Sequence, residues 1–135
     1  QFRARAPQGL VMAEPDHDRA YGRTPYPRYD SAERPFLYTG EDPPHGINPL
    51  ERVVRVGDRA WPLTRIRAAG GLREAGVTIS WEEGQASALD TARLSRGREV
   101  GSVRVRDRQG RDVAHDVMFA FAFDAFWPDG TWMVR

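Results

Sequence analysis

The residues able to do chemistry are few and scattered. His17, His45 and His115 are the only histidines, and no H-x-x-x-H or H-E-x-x-H spacing sets two of them on one helix face. With Met12, Met118 and Met133 they are the donors a thioether-rich copper site would draw on. The spacing gives such a site no support, and the plainer account is core and surface residues without metal. The lack of cysteine removes disulfides, thiolate zinc sites, iron–sulfur centres and thiol catalysis. Glu82-Glu83 sets two carboxylates side by side, but neighbours on a strand point to opposite faces, so the pair with Gly84 reads as a polar turn. Ser87-Ala88-Leu89-Asp90 has the S-x-x-D spacing of a helix-capping box. A hydroxyl and a carboxylate beside an indole would make Trp81, Ser87 and Asp90 a candidate pocket for a small ligand or substrate. Capping explains Ser87 and Asp90 without chemistry. No G-x-S-x-G elbow, Walker loop or dinucleotide fingerprint occurs, and no cofactor is expected.

The elements that must carry these residues read as mostly strand. Val53-Val54-Arg55-Val56 is a strand closed by a turn at Gly57-Asp58, and Ala60-Trp61-Pro62-Leu63 restarts the chain. Thr64 can cap a short helix through Ala69 that Gly70-Gly71 stops. Val77, Ile79 and Trp81 share one face of the next strand. Ser87 can open a short helix ended by Gly97, or lie on a short strand with Asp90 capping the segment after it. Ser102 to His115 reads as a hairpin, with Val103 and Val105 inward and Asp107 to Gly110 as its turn. Its return side carries Asp112 and Asp116, placed to pair with Arg104 and Arg106. Val117 to Phe123 is apolar on both faces and reads as a central strand. Thr131 to Val134 is a last strand after the turn at Phe126 to Gly130.

Residues 1–45 have a different character. Eight of the ten prolines fall within residues 1–50, which argues against a regular helix or central strand there. Yet Phe2, Tyr21, Tyr26, Tyr29, Phe36 and Tyr38 give the segment more rings than a disordered linker carries. An extended arm that lays aromatic rings on a surface fits, and that surface is its own domain or a partner. Six arginines against seven acids in residues 1–50 exclude a nucleic-acid arm. Residues 51–111 are basic, with thirteen arginines against eight acids, but the whole chain carries only +1. Arg93, Arg96, Arg98, Arg104, Arg106 and Arg108 could meet anionic lipid or an acidic partner; a solvated face balanced by nearby acids accounts for them as well. Every basic residue is arginine. No apolar run approaches the ~20 residues of a membrane span. The chain opens on Gln1 rather than Met, which fits a removed export signal, a lost membrane anchor or an artificial boundary.

Several blocks then follow one order: Gly46 to Val54, Gly57 with Ala60 to Leu63, Gln85 to Asp90, Gly97 to Ser102, and Phe123 to Asp129. In these the chain resembles the bacterial family of unknown function DUF3179 over roughly residues 35–135. The resemblance implies a mostly β fold and an exported or membrane-associated setting, and brings no established activity. Many members carry cysteines after the block matching Ala60 to Leu63, where this chain reads Val77 to Glu83 without one. It also lacks most of a segment that longer members have before the closing aromatic block. Metal or redox roles tied to those cysteines do not carry over.

The expected fold is a mainly β, compact sandwich or partly open barrel of about six to eight short strands with one or two short helices. Residues 1–45 form the extended arm and residues 46–135 a single β-rich domain. The expected function is a non-enzymatic accessory module at the periplasmic or extracytoplasmic membrane surface. It would dock on a protein partner, such as a membrane complex, through Tyr21, Tyr26, Tyr29, Phe36 and Tyr38. The alternatives are the ligand or enzymatic pocket at Trp81, Ser87 and Asp90, and copper handling.

Overall fold

A computed structural model describes residues 2–13 and 15–135, so Gln1 and Glu14 lie outside the described residues. Among the described residues, seven short strands make two sheets. β1 (Arg52–Val56), β2 (Arg59–Pro62), β6 (Asp116–Phe119) and β7 (Thr131–Trp132) form one, in the order β6-β1-β2-β7. β3 (Leu72–Glu74), β4 (Val77–Glu82) and β5 (Ser102–Asp107) form the other, in the order β3-β4-β5. Three short helices accompany them among the described residues: α1 (Phe2–Arg5), α2 (Leu63–Ala68) and α3 (Ala120–Phe126). The class is mainly β and sandwich-like, with no closed barrel.

Strand alternation explains where the core lies. On β1 and β2, Val54 and Trp61 point one way and Val53 and Ala60 the other, and all four are buried. Val54 and Trp61 meet Ile66 of α2, Ile79 of β4 and Val105 of β5, so this cluster joins the two sheets. Val53 and Ala60 meet Ala120 and Phe123 of α3 on the far face. Each large apolar side chain so buried stabilises the fold by about 1.5–3 kcal/mol. The first sheet is thus covered on both faces, and its two middle strands carry the covering.

The doubly covered strand is therefore β1, not the Val117–Phe123 run. That run leaves the sheet at Phe119 and turns into α3. Ala120, Phe123 and Trp127 have the three-and-four spacing of a helix face, and they pack together on Val53. The smaller departures have local causes. Thr64 caps nothing: α2 begins at Leu63, and the Thr64 N–H and hydroxyl both donate to the Glu51 carboxylate from another segment. No α-helix follows Ser87; that stretch is a bridge between Ala86 and Glu99, a turn, and a single 3₁₀ turn at Leu94–Arg96. The hairpin after β5 closes at Gly110, but its return side pairs only at Asp112, and Asp116 goes to Arg55 on the other sheet. In the arm, α1 ends before Pro7, so the missing proline N–H removes none of its hydrogen bonds.

Candidate functional site

The arm returns onto the domain at residues 22–30. Arg28 N–H donates to the Asp90 carbonyl at 2.7 Å and Tyr29 N–H to the Leu89 carbonyl at 2.9 Å; Leu94 N–H donates back to the Gly22 carbonyl at 2.9 Å. An irregular segment thereby gains sheet-like hydrogen-bond partners for its backbone. Its rings divide into two sets. The Tyr29 ring centre is 5.8 Å from that of Phe119, and the Tyr38 ring centre 4.9 Å from that of Phe121. Tyr21, Tyr26 and Phe36 keep 49 %, 63 % and 79 % of their surface exposed, and Leu37 beside Phe36 keeps 84 %. Leu37 also has φ +60°, a conformation costly for a side chain of its size, so the Pro35–Tyr38 turn pushes both apolar residues outward.

Beneath the returning arm lies an ionic cluster. Asp30, in the 3₁₀ turn Tyr29–Ser31, is buried and its side chain is closed to solvent. Its Oδ2 accepts from the Ser87 hydroxyl, and lies 3.1 Å from Arg52 Nη1 and 3.4 Å from Arg98 Nη2. Arg52 Nη2 donates to Ser87 Oγ at 3.1 Å, and Arg98 Nη2 to the Asp30 carbonyl at 2.8 Å. The Arg52 guanidinium lies 5.6 Å from the centre of the Phe119 ring that Tyr29 packs on. Asp30 Oδ1 is buried without a hydrogen-bond partner among the described residues. A buried carboxylate of this kind is tolerable only because two guanidiniums and a hydroxyl surround it.

A cleft of about 430 Å³ opens beside this cluster. Asp30 to Ala32 of the arm, Arg52 of β1, Thr64 and Arg67 of α2, and Arg98 to Val100 line it. Glu99 holds the loop that forms one wall. Its carboxylate accepts from the backbone N–H groups of Gly84 (2.9 Å), Gln85 (3.0 Å) and Gly101 (2.6 Å). The Gly84 and Gln85 bonds, then the Gly101 bond and the charge of Arg67, hold it below the usual carboxylate range. Glu51 is occupied at the start of α2.

Trp81, Ser87 and Asp90 do not line this cleft. Trp81 donates from its indole to the Val100 carbonyl at 3.0 Å and carries the Arg67 guanidinium 5.3 Å above its ring. Ser87 is buried behind Asp30. Asp90 accepts the Arg98 N–H at 2.7 Å, an ordinary turn cap. Two of the three support the cleft from behind, and Asp90 fastens its rim. Asp30 escaped the sequence reading because its partners Arg52, Arg98 and Ser87 are remote in sequence; only an acid between Tyr29 and Ser31 in a proline-rich arm marked it. Among the described residues no three His, Asp or Glu side chains come together as metal ligands. Met133 packs on one core cluster, Met118 on the other, and Met12 is exposed.

The fold and site define a two-sheet, mainly β domain with an arginine-lined cleft roofed in part by its own N-terminal arm. The chain belongs to DUF3179, a family described as protein of unknown function, whose model matches residues 1–130. That match runs through the arm as well as the sheets. No curated protein and no solved structure matches the chain.

Proposed function

We propose that this chain is a non-enzymatic accessory module, held at the periplasmic or extracytoplasmic membrane surface, that docks on a larger protein complex through its arm. One observation carries the reading: the division of the arm's rings into Tyr29 and Tyr38, which pack on Phe119 and Phe121, and Tyr21, Tyr26 and Phe36, which stay exposed. The first set fixes the arm and the second, with Leu37, is left for a partner. Prolines and the hydrogen bonds to residues 89–94 restrict the free arm, so little further order is lost on binding. The partner this fits is a protein with an extended apolar groove. The acids near the cleft support a non-catalytic reading, since Asp30, Asp90 and Glu99 each hold backbone or arm in place.

The test is site-specific photocrosslinking in cells, with a benzophenone side chain replacing Tyr26 or Phe36. One discrete adduct to a second protein is expected at both positions, and it should vanish when the other two exposed rings are changed to alanine. The same probe at Tyr29 should give internal products only. Adducts that survive the alanine changes, or none at either position, would exclude the arm as the docking element.

A further inference from the structure

We infer that the cleft between arm and domain is a binding site for a small organic monocarboxylate. Its size falls in the range of small-molecule sites, about 300–1,000 Å³. Its walls mix apolar and polar groups: Leu50, Leu63 and Val100 on one hand, and the arginines on the other. Charge and geometry narrow the ligand further.

Arg52 is engaged on both sides, by Asp30 and by Ser87. Arg98 directs Nη2 to Asp30 and leaves half of its side chain exposed. Arg67 is exposed, and its guanidinium sits over the Trp81 ring, 5.3 Å from the ring centre, a cation–π contact that favours one place for its charge. Two guanidiniums on one cleft, each positioned by a contact behind it, match the paired oxygens of a carboxylate. The acids on the same cleft have other work: Glu99 takes three backbone N–H groups and Glu51 takes the start of α2. Their charges still count. Arg52, Arg67 and Arg98 are balanced by Asp30, Glu51 and Glu99, three against three, so the field is near neutral. That balance suits one negative charge with an apolar body and disfavours phosphate or a polyanion.

The probes are acetate, benzoate, benzamide and inorganic phosphate at millimolar concentration, titrated into the isotopically labelled full chain and followed by amide and arginine Nε resonances. Benzoate should move the resonances of Thr64, Arg67 and residues 98–100, and bind more tightly than acetate. Benzamide, which keeps the ring and loses the charge, should bind about tenfold more weakly. Arg67→Gln should weaken benzoate about tenfold, and Arg67→Lys should restore only part of it, since lysine lacks the planar fork. Arg67 is exposed, so the fold survives its replacement; Arg98→Gln serves as the second variant, and Arg96→Gln as an unchanged control. The inference is overturned if neither carboxylate shifts these residues, if benzamide matches benzoate, if phosphate binds more tightly than either, or if Arg67→Gln leaves binding unchanged. It does not depend on the docking reading, because the exposed rings of the arm take no part in the cleft.

Discussion

At the scale of single residues, two glycines and one carboxylate show how a fold with small clusters is held. Gly101 lies against the Trp81 indole so closely that a Cβ there would stand 2.1 Å from Nε1. Gly97 is likewise pressed on the Ser87 carbonyl, 2.2 Å from such a Cβ. These glycines are space requirements, where the sequence pattern offered only a helix stop at Gly97. Glu74 is the counterpart in charge. It accepts from the Trp61 indole and from both amines of Arg65, with Nη2 at 3.0 Å, and only a quarter of its side chain is exposed. Its carboxyl is held below the usual carboxylate range, chiefly by the Arg65 hydrogen bonds, which outweigh the opposing cost of burial, with the Trp61 bond and the charge of Arg65 adding to them. A carboxylate with a lowered folded pKa stabilises above its unfolded pKa, and loses that contribution as pH falls through the folded value. Glu74→Gln should therefore cost about 1.5–3 kcal/mol at neutral pH. The gap between variant and wild type should begin to narrow as pH falls below the unfolded value of about 4.3, and close only below the lowered folded value, where Glu74 is neutral in both states. Urea midpoints at the two pH values measure this, and a gap that stays constant with pH would rule out the charged pair as its source.

At the scale of elements, what was legible was what local pattern controls. β4 and β5 stand where alternation put them, with Val77, Ile79 and Trp81 and then Val103 and Val105 turned to one core cluster. β1 was legible instead as a short valine-rich run before a turn, and it buries the adjacent Val53 and Val54 on its two faces. The Gly57-Asp58 turn was legible because two residues join Val56 to Arg59 and Gly57 supplies φ +61°. The Val117–Phe123 run misled because apolar residues at every position satisfy both periods; contact of Ala120 and Phe123 with Val53 decides for the helix. β3 was missed altogether, since Leu72-Arg73-Glu74 is too short to show a period and its hairpin turn is Ala75-Gly76 rather than Asn-Gly. That turn has φ +48° at Ala75 and +82° at Gly76, the left-handed pair a two-residue hairpin needs. Alanine at such a position costs roughly 1–2 kcal/mol relative to a residue free of the Cβ clash. Ala75→Gly should recover part of this, about 0.5–1 kcal/mol once the looser unfolded chain is counted. A higher denaturant midpoint with an unchanged slope is the expected result, and a lower midpoint would show that Ala75 is not strained in solution.

At the scale of the whole molecule, the arm and the sheets form one structure, fastened at Asp30. Among the described residues, the arm adds no buried apolar side chain to either main cluster. It is held by backbone hydrogen bonds to residues 89–94, by the Tyr29 and Tyr38 ring contacts, and by the Asp30 ion pairs. Of these only the ion pairs centre on a fully buried charge, Asp30, with Arg52 mostly buried beside it and Arg98 half exposed, so they should dominate the equilibrium between a closed and a released arm. Asp30→Asn keeps the shape and removes the charge, leaving Arg52 and Arg98 facing a neutral group. Removing one partner of a buried pair costs about 3 kcal/mol or more. Because the arm adds little to the cores, the loss should appear as local opening before it appears as global unfolding. Trypsin reads this directly, since the chain has no lysine and the bond after Arg28 lies where Arg28 and Tyr29 donate to Asp90 and Leu89. When opening is fast, cleavage follows the open population, so about 3 kcal/mol corresponds to cutting at Arg28 roughly a hundredfold faster. Cleavage in the exposed stretch at Arg19 should change little, which separates arm release from general instability. Equal cleavage at Arg28 in variant and wild type would mean that the backbone bonds and ring contacts close the arm without Asp30, and that the cluster beneath it serves only to line the cleft.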